Sequence, residues 1–284
     1  MNERETLSFE TPCGITIVAD AMGPKDAQPI LLLHGGGQTR GSWRDTIDAL
    51  ANMGYRAYAA DLRGHGDTSR SPEGIYTPSA YVDDAIATIR QIGGNVIVIG
   101  ASLGGIVGLL TAGEYGPSAI SGLVMVDVAA RTNPYGVKRI QGFMKANPDG
   151  FASIDEAAEA VASFSTDRPR PRNTKGLERN LRKIGERYYW HWDPQFLVSW
   201  PPAHRDAVGR LEDAARALTI PVLLVHAAHS DVLGPNEIDH LHALIPHLEY
   251  IKVEHASHMV VGDQNSDFNR AIRKFLIEHG SSKS

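Results

Sequence analysis

The apolar residues of this chain fall into two kinds of run. Short continuous stretches read as strands buried on both faces: PILLL from Pro29, YRAYAA from Tyr55, NVIVIG from Asn95, ISGLVMVD from Ile120, PVLLVHAA from Pro221 and LEYIKVEHA from Leu248. Leu7–Glu10 and Ile15–Ala19 are shorter strands flanking a Pro-Cys-Gly turn. Between the strands the period changes. After Pro78, residues Val82, Ala85, Ile86 and Ile89 share one helical face. Further helices are predicted over Leu103–Tyr115, Asn236–Leu244 and Asp263–His279. Strands alternating with helices imply right-handed crossovers and a mostly parallel sheet with helices on both faces, an α/β fold.

The alternation breaks between about Ala130 and Leu218. That stretch holds clustered prolines (Pro169, Pro171, Pro194, Pro201, Pro202), many arginines and three of the four tryptophans. It contains no fully buried strand run. The expected organisation is therefore a core of residues 1–130 and 219–284 with a mainly helical cap, 131–218, inserted after the sixth strand.

Composition narrows the function classes. The 284 residues can bury a sizeable core. A net charge of −5 disfavours a nucleic-acid partner, since phosphate binding needs a basic surface. One cysteine, Cys13, allows neither an internal disulfide nor a thiolate metal cage. The N-terminal MNERETLSFE has no apolar stretch, and no run approaches the length of a membrane span. These features lead to the expectation of a soluble cytoplasmic protein, monomer or homodimer, with a small-molecule substrate and no cofactor or metal.

The chemistry is concentrated in GASLGG, Gly100–Gly105. A serine hydroxyl is a poor nucleophile at neutral pH; it needs a base, an exposed position and nearby N–H donors. A tight turn from strand to helix lifts the side chain out and aims the first amides of the helix at the reaction centre. Such a turn demands small residues on both sides, and Gly100, Gly104 and Gly105 flank Ser102. Ser102 is the candidate nucleophile.

With LLLHGGGQ, DLRGHGDTS, HSDVLGP and EHASHMVVGD in the same order along the chain, the sequence resembles the α/β-hydrolase superfamily over nearly its full length. The resemblance implies His258 as the general base, with His255 the weaker candidate. It implies Asp231 as the acid that holds the histidine tautomer, with Asp127, at the end of ISGLVMVD, as the alternative. Glycine is common in the family where Ala227 or Ala228 stands here. The oxyanion hole would combine the backbone N–H of Leu103 with that of Gly36, or alternatively Gly37. His34 and His65 read as structural hydrogen-bonding residues. Family members that displace alkyl groups carry aspartate at the elbow, so Ser102 points to acyl transfer.

The aromatic stretch YYWHWDPQFLVSW either roofs an apolar pocket or anchors the cap on the core. Trp190, Trp192 and Phe196 are its candidate substrate contacts. Trp43 and Met259 join them as residues next to the oxyanion and histidine loops. His226 and His229 have an H-x-x-H spacing, but residues three apart on a strand face opposite ways, so no metal is expected. The expected activity is hydrolysis of a carboxylic ester or lactone of a small to medium apolar substrate. A cofactor-free perhydrolase resembling non-haem haloperoxidases, a carbon–carbon bond hydrolase of ring-cleavage products and a ligand receptor are the alternatives.

Overall fold

The architecture follows from a computed structural model that describes residues 3–164, 175–178, 180–199, 205–257 and 266–280. The chain opens with β1 (Glu5–Glu10), β2 (Thr16–Met22) and β3 (Pro29–Leu33). A 3-10 turn over Arg40–Trp43 leads into α1 (Arg44–Asn52) and β4 (Arg56–Ala60). Then come α2 (Pro78–Ile92), β5 (Val96–Ala101), α3 (Leu103–Tyr115) and β6 (Ile120–Val126). The insertion carries α4 (Pro134–Lys145), α5 (Ile154–Phe164), the single turn α6 (Lys175–Glu178), β7 (Leu181–Ile184), β8 (Arg187–Trp190), the single turn α7 (Phe196–Ser199) and α8 (Arg205–Arg216). The chain returns through β9 (Val222–His229), α9 (Pro235–Leu244), β10 (Leu248–Ser257) and α10 (Ser266–His279).

Eight strands form one sheet in the order β1-β2-β4-β3-β5-β6-β9-β10. β1, β2 and β4 pair antiparallel, and from β4 onward every pairing is parallel. Alternate residues of the central strands feed two separate cores. Leu31, Val98, Leu123 and Leu224 face α2, α3, α8 and α9. Ile30, Ile99, Val124 and Leu223 face α1 and α10. Burial on both faces is why these strands read as continuous apolar runs rather than alternating ones.

Two elements depart from the expected pattern. α1 is not among the helices expected above, yet Ile47 and Leu50 bury one stripe of it against the sheet. Within the insertion, Leu181–Ile184 and Arg187–Trp190 form an antiparallel hairpin, so this region is not purely helical. The hairpin is short and peripheral, and Ile184 is exposed, which leaves little alternation to detect.

The register sets up the site. Leu33 pairs with Gly100, Ala101 with Val126, and Val126 with Val225. The loops after β3, β5, β6 and β9 therefore leave the sheet at one edge, the carboxyl end of the parallel strands. Ligands bind outside this edge in open α/β sheets.

Candidate active site

Ser102 occupies a forbidding backbone position. Its φ is +46° and ψ −112°, between the end of β5 and the first turn of α3. A non-glycine residue there is strained and must be held by its surroundings. The surroundings are close: Ser102 N–H donates to Val126 O at 3.0 Å, and Gly104 N–H to His34 O at 3.1 Å. A Cβ on Gly104 would collide with the carbonyl of Leu33, and one on Gly100 with the carbonyl of Gly104. Gly105 is blocked by the Val128 side chain and by Gly100 O, 2.8 Å from where a Cβ would sit. Gly104→Ala is accordingly expected to cost about 3 kcal/mol, because the Leu33 carbonyl it meets is backbone and cannot yield. Urea denaturation of the variant measures this, and an unchanged midpoint would contradict it.

The loop after β3 lies against the serine. A Cβ on Gly35 would come within 3.4 Å of Ser102 Cβ. Most amides here are engaged. Gly35 N–H donates to Gln38 Oε1 at 2.9 Å, Gly37 N–H to His65 Nε2 at 3.1 Å, and Gln38 N–H to Gly35 O at 3.0 Å. Among the described residues, the N–H groups of Gly36 and Leu103, which flank Ser102 from the loop and from the first turn of α3, have no acceptor. Gly37, the alternative oxyanion donor, is thus already committed to His65.

Three buried histidines support this loop. His34 donates from Nδ1 to Gly35 O (2.8 Å) and accepts at Nε2 from Leu62 N–H (3.0 Å). His65 donates from Nδ1 to Arg63 O (3.0 Å). His191, from the insertion, accepts at Nδ1 from Gly66 N–H (2.9 Å) and donates from Nε2 to Gly37 O (3.2 Å). Each ring uses one nitrogen as acceptor, so each is neutral. Burial strips water from the charged form and pushes all three down to about 3. His34 and His65 are structural, as their sequence positions implied.

The sign of the resulting pH dependence is fixed. Between pH 3 and 6.5 the unfolded chain holds protons that these folded rings refuse. Stability therefore falls as pH drops through that window, by about 1 kcal/mol per pH unit for each ring. Urea midpoints at pH 6.5 and 4.5 test this, with a flat profile as the contrary outcome.

The DLRGHGDTS turn is organised around Asp61. Its carboxylate accepts from Arg40 N–H (2.6 Å), Asp67 N–H (2.9 Å) and the Arg40 guanidinium. Burial raises the Asp61 pKa and the Arg40 charge opposes it, with burial prevailing. Arg40 also reaches Asp20 and Asp67, at 3.0 and 2.9 Å. None of these partners is visible in local spacing, and sequence reasoning does not anticipate the network.

The two candidate acids differ sharply. Asp127 is 1% exposed, with φ +50° at the end of β6. Its carboxylate accepts from Ala227 N–H at 3.0 Å and Ser230 Oγ at 2.7 Å. Asp231 is partly exposed, and its Oδ2 takes both Nε and Nη2 of Arg139 on α4, each at 2.7 Å. Gly136 lets α4 approach this closely, since a Cβ there would strike the Asp231 carbonyl.

Over the loop lie residues of the insertion. Phe196 edges onto Gly36, with its ring 3.3 Å from where a Cβ would sit, and Trp192 stands 3.2 Å from the same point on Gly37. Trp190 stacks on Trp192 at 4.9 Å, one layer further out. Trp43 sits elsewhere: it is fully buried on the α1–α10 face against Phe268, because the 3-10 turn directs the indole inward to the sheet. It belongs to the core opposite the one that holds Trp192 and Phe196 and does not join those aromatic residues. His226 Nδ1 pairs with Tyr250 Oη at 2.9 Å. His258 and Met259 lie outside the described residues.

A mostly parallel sheet with a serine on a strained strand-to-helix turn and two unclaimed amides beside it has the architecture of an α/β hydrolase. The chain belongs to the alpha/beta hydrolase fold family, whose model matches residues 28–264. It is 28% identical over 262 residues to the esterase Rv0045c of Mycobacterium tuberculosis, covering 88% of this chain and 83% of that one. Protein phosphatase methylesterase 1 of Mus musculus is 31% identical over 135 residues, covering 46% of this chain and 35% of that protein's length. Among solved structures, E-2-(acetamidomethylene)succinate hydrolase superposes with a TM-score of 0.83 at 22% identity, over 96% of this chain and 100% of that one. The class is that of a hydrolase. Among the described residues, no helix is long and apolar enough to cross a membrane.

Proposed function

We propose that this protein is a serine hydrolase that cleaves a carboxylic ester or lactone of a small to medium apolar substrate. The observation that carries the reading is the strained turn at Ser102 beside the two unclaimed amides, Gly36 and Leu103. Ser102 Oγ attacks the carbonyl carbon while His258 takes its proton. The carbonyl oxygen becomes an oxyanion that accepts from Gly36 and Leu103 N–H. Collapse of the intermediate expels the alkoxide, which leaves with the proton from His258. Water, deprotonated by His258, then attacks the acyl-enzyme and returns Ser102 to its hydroxyl form.

An aspartate holds the His258 tautomer. Position in the family order favours Asp231; burial and hydrogen bonding favour Asp127. We adopt Asp127, because the Asp231 charge is already matched by Arg139. The apolar preference rests on Phe196 and Trp192, which cover the loop. The esterase names of two relatives support ester hydrolysis over the other acyl transfers.

The test is release of p-nitrophenol from a chain-length series of acyl esters, with labelling by a fluorophosphonate located by mass spectrometry. The expected result is saturable turnover of short and medium esters and a label on Ser102. Turnover that survives complete labelling, or a label elsewhere, would overturn the assignment.

A further inference from the structure

The geometry points to His191 as a positioning residue that couples seating of the insertion to the oxyanion loop of the core. This inference rests on the serine-hydrolase reading above. It begins with peptide planes. The Gly36 N–H lies in one rigid plane with the Gly35 carbonyl. That carbonyl is held by His34 Nδ1–H at 2.8 Å and Gln38 N–H at 3.0 Å. The direction of the Gly36 N–H is therefore fixed by what lies behind it.

The next residue completes the clamp. Gly37 has φ +78°, a conformation its neighbours must maintain. His65 accepts from its N–H and His191 donates to its carbonyl, so Gly37 is gripped from two sides. His34 and His65 belong to the core, and their rings are 5.2 Å apart. His191 comes from the insertion and continues the same row of tilted rings, 5.8 Å from His65.

The tautomer of His191 is determined by the core. Gly66 N–H donates to Nδ1, which leaves the proton on Nε2, facing Gly37 O. The backbone around the ring is pinned as well. His191 N–H donates to Asn180 O at 3.0 Å, and Asp193 N–H to Gly64 O at 2.8 Å. Asp193 also accepts from Tyr76 Oη at 2.6 Å. These contacts make one assembly: when the insertion is seated, Gly37 is clamped on both sides and the Gly36 amide is aimed. When it lifts, the carbonyl side of the clamp is lost. Transition-state stabilisation depends on such donors being fixed in advance of the reaction, so His191 acts on kcat through Gly37 without touching substrate.

Two substitutions separate this role from simple packing. In His191→Asn the shorter amide can still accept from Gly66 N–H but cannot reach Gly37. In His191→Gln the longer amide places an N–H where Nε2 stood. His191→Asn is expected to lower kcat on p-nitrophenyl esters about tenfold with KM nearly unchanged, the scale of one lost hydrogen bond. Affinity for a trifluoromethyl ketone, which adds Ser102 Oγ to form an oxyanion, should fall by the same factor. His191→Gln should recover most of both.

Parent values of kcat and ketone affinity in both variants would overturn the role. So would a loss in both accompanied by a lower Tm and no rescue by glutamine. If neither variant folds, the unmodified protein still decides. The His191 Nε2–H resonance should shift when the ketone occupies the site, and an unmoved resonance counts against the clamp. Ser102→Ala keeps the two readings apart: turnover near the parental rate in that variant overturns the serine mechanism. A Ser102→Ala variant reduced by about 10³-fold or more with a normal His191→Asn overturns only the clamp.

Discussion

Ser102→Ala is expected to reduce kcat/KM on activated esters by at least about 10³-fold, with substrate still bound. The magnitude follows from the loss of the covalent route. Without Oγ there is no acyl-enzyme, and water must attack the carbonyl directly. The Gly36 and Leu103 amides remain, so a residual rate above background is expected from oxyanion stabilisation alone. Fold should be retained. Position 102 keeps its positive φ whichever small side chain it carries, and its N–H bond to Val126 O is a backbone contact that alanine preserves. Circular dichroism and a Tm near that of the parent protein would certify that the lost activity is chemical. Retention of parental turnover would move the nucleophile elsewhere in the chain.

The part of the architecture legible in sequence is the part dictated by local rules. NVIVIG is apolar at nearly every position because β5 is buried on both faces. The glycines around Ser102 are required because Leu33, Gly100 and Gly104 pass within collision distance of a Cβ. The apolar run and the glycine spacing are both local patterns, even though the backbone that crowds Gly104, that of Leu33, comes from a distant strand. α1 is short, and its buried stripe, Thr46, Ile47, Leu50 and Ala51, has only two large apolar residues and follows directly on a 3-10 turn, so little apolar signal marks it.

The remainder depends on partners far apart in the chain. His191 meets Gly37 across 154 residues and Gly66 across 125. Arg139 meets Asp231 across 92. No periodicity encodes such pairs. A signal does exist for His191: a histidine between two tryptophans, followed by an aspartate, in a stretch marked as aromatic. Its polarity inside an apolar run points to a buried hydrogen-bonding role. Trp43 illustrates the reverse. Its neighbours on the oxyanion loop suggest the site, whereas the 3-10 turn it closes carries it to the other face of the sheet.

Asp127→Asn should lower kcat about 10³-fold or more, and Asp231→Asn less than about tenfold. The argument turns on what each carboxylate already does. An acid that orients a catalytic histidine must be rigid, shielded from water and not neutralised by another cation, so that it stabilises a positive ring. Asp127 is buried, and Ala227 N–H and Ser230 Oγ fix its plane. A carboxylate has about four lone-pair sites, so the bonds to Ala227 and Ser230 are compatible with a further one from an imidazole N–H. Asp231 faces a guanidinium instead. With Arg139 bound at Oδ2, the positive ring formed during catalysis would meet a charge already neutralised. Asp231→Asn mainly loosens the tie between α4 and the loop after β9, an exposed pair of the kind that contributes about 1 kcal/mol or less. Asp127→Asn keeps the volume and one acceptor oxygen, yet it presents an N–H₂ that can favour the wrong histidine tautomer. The measurement is kcat for the two variants above the histidine pKa, with Tm recorded for each. The opposite ranking would assign the role to Asp231. It would also mean that Arg139 leaves Asp231 during turnover, which Arg139→Ala would then show as an increase in rate.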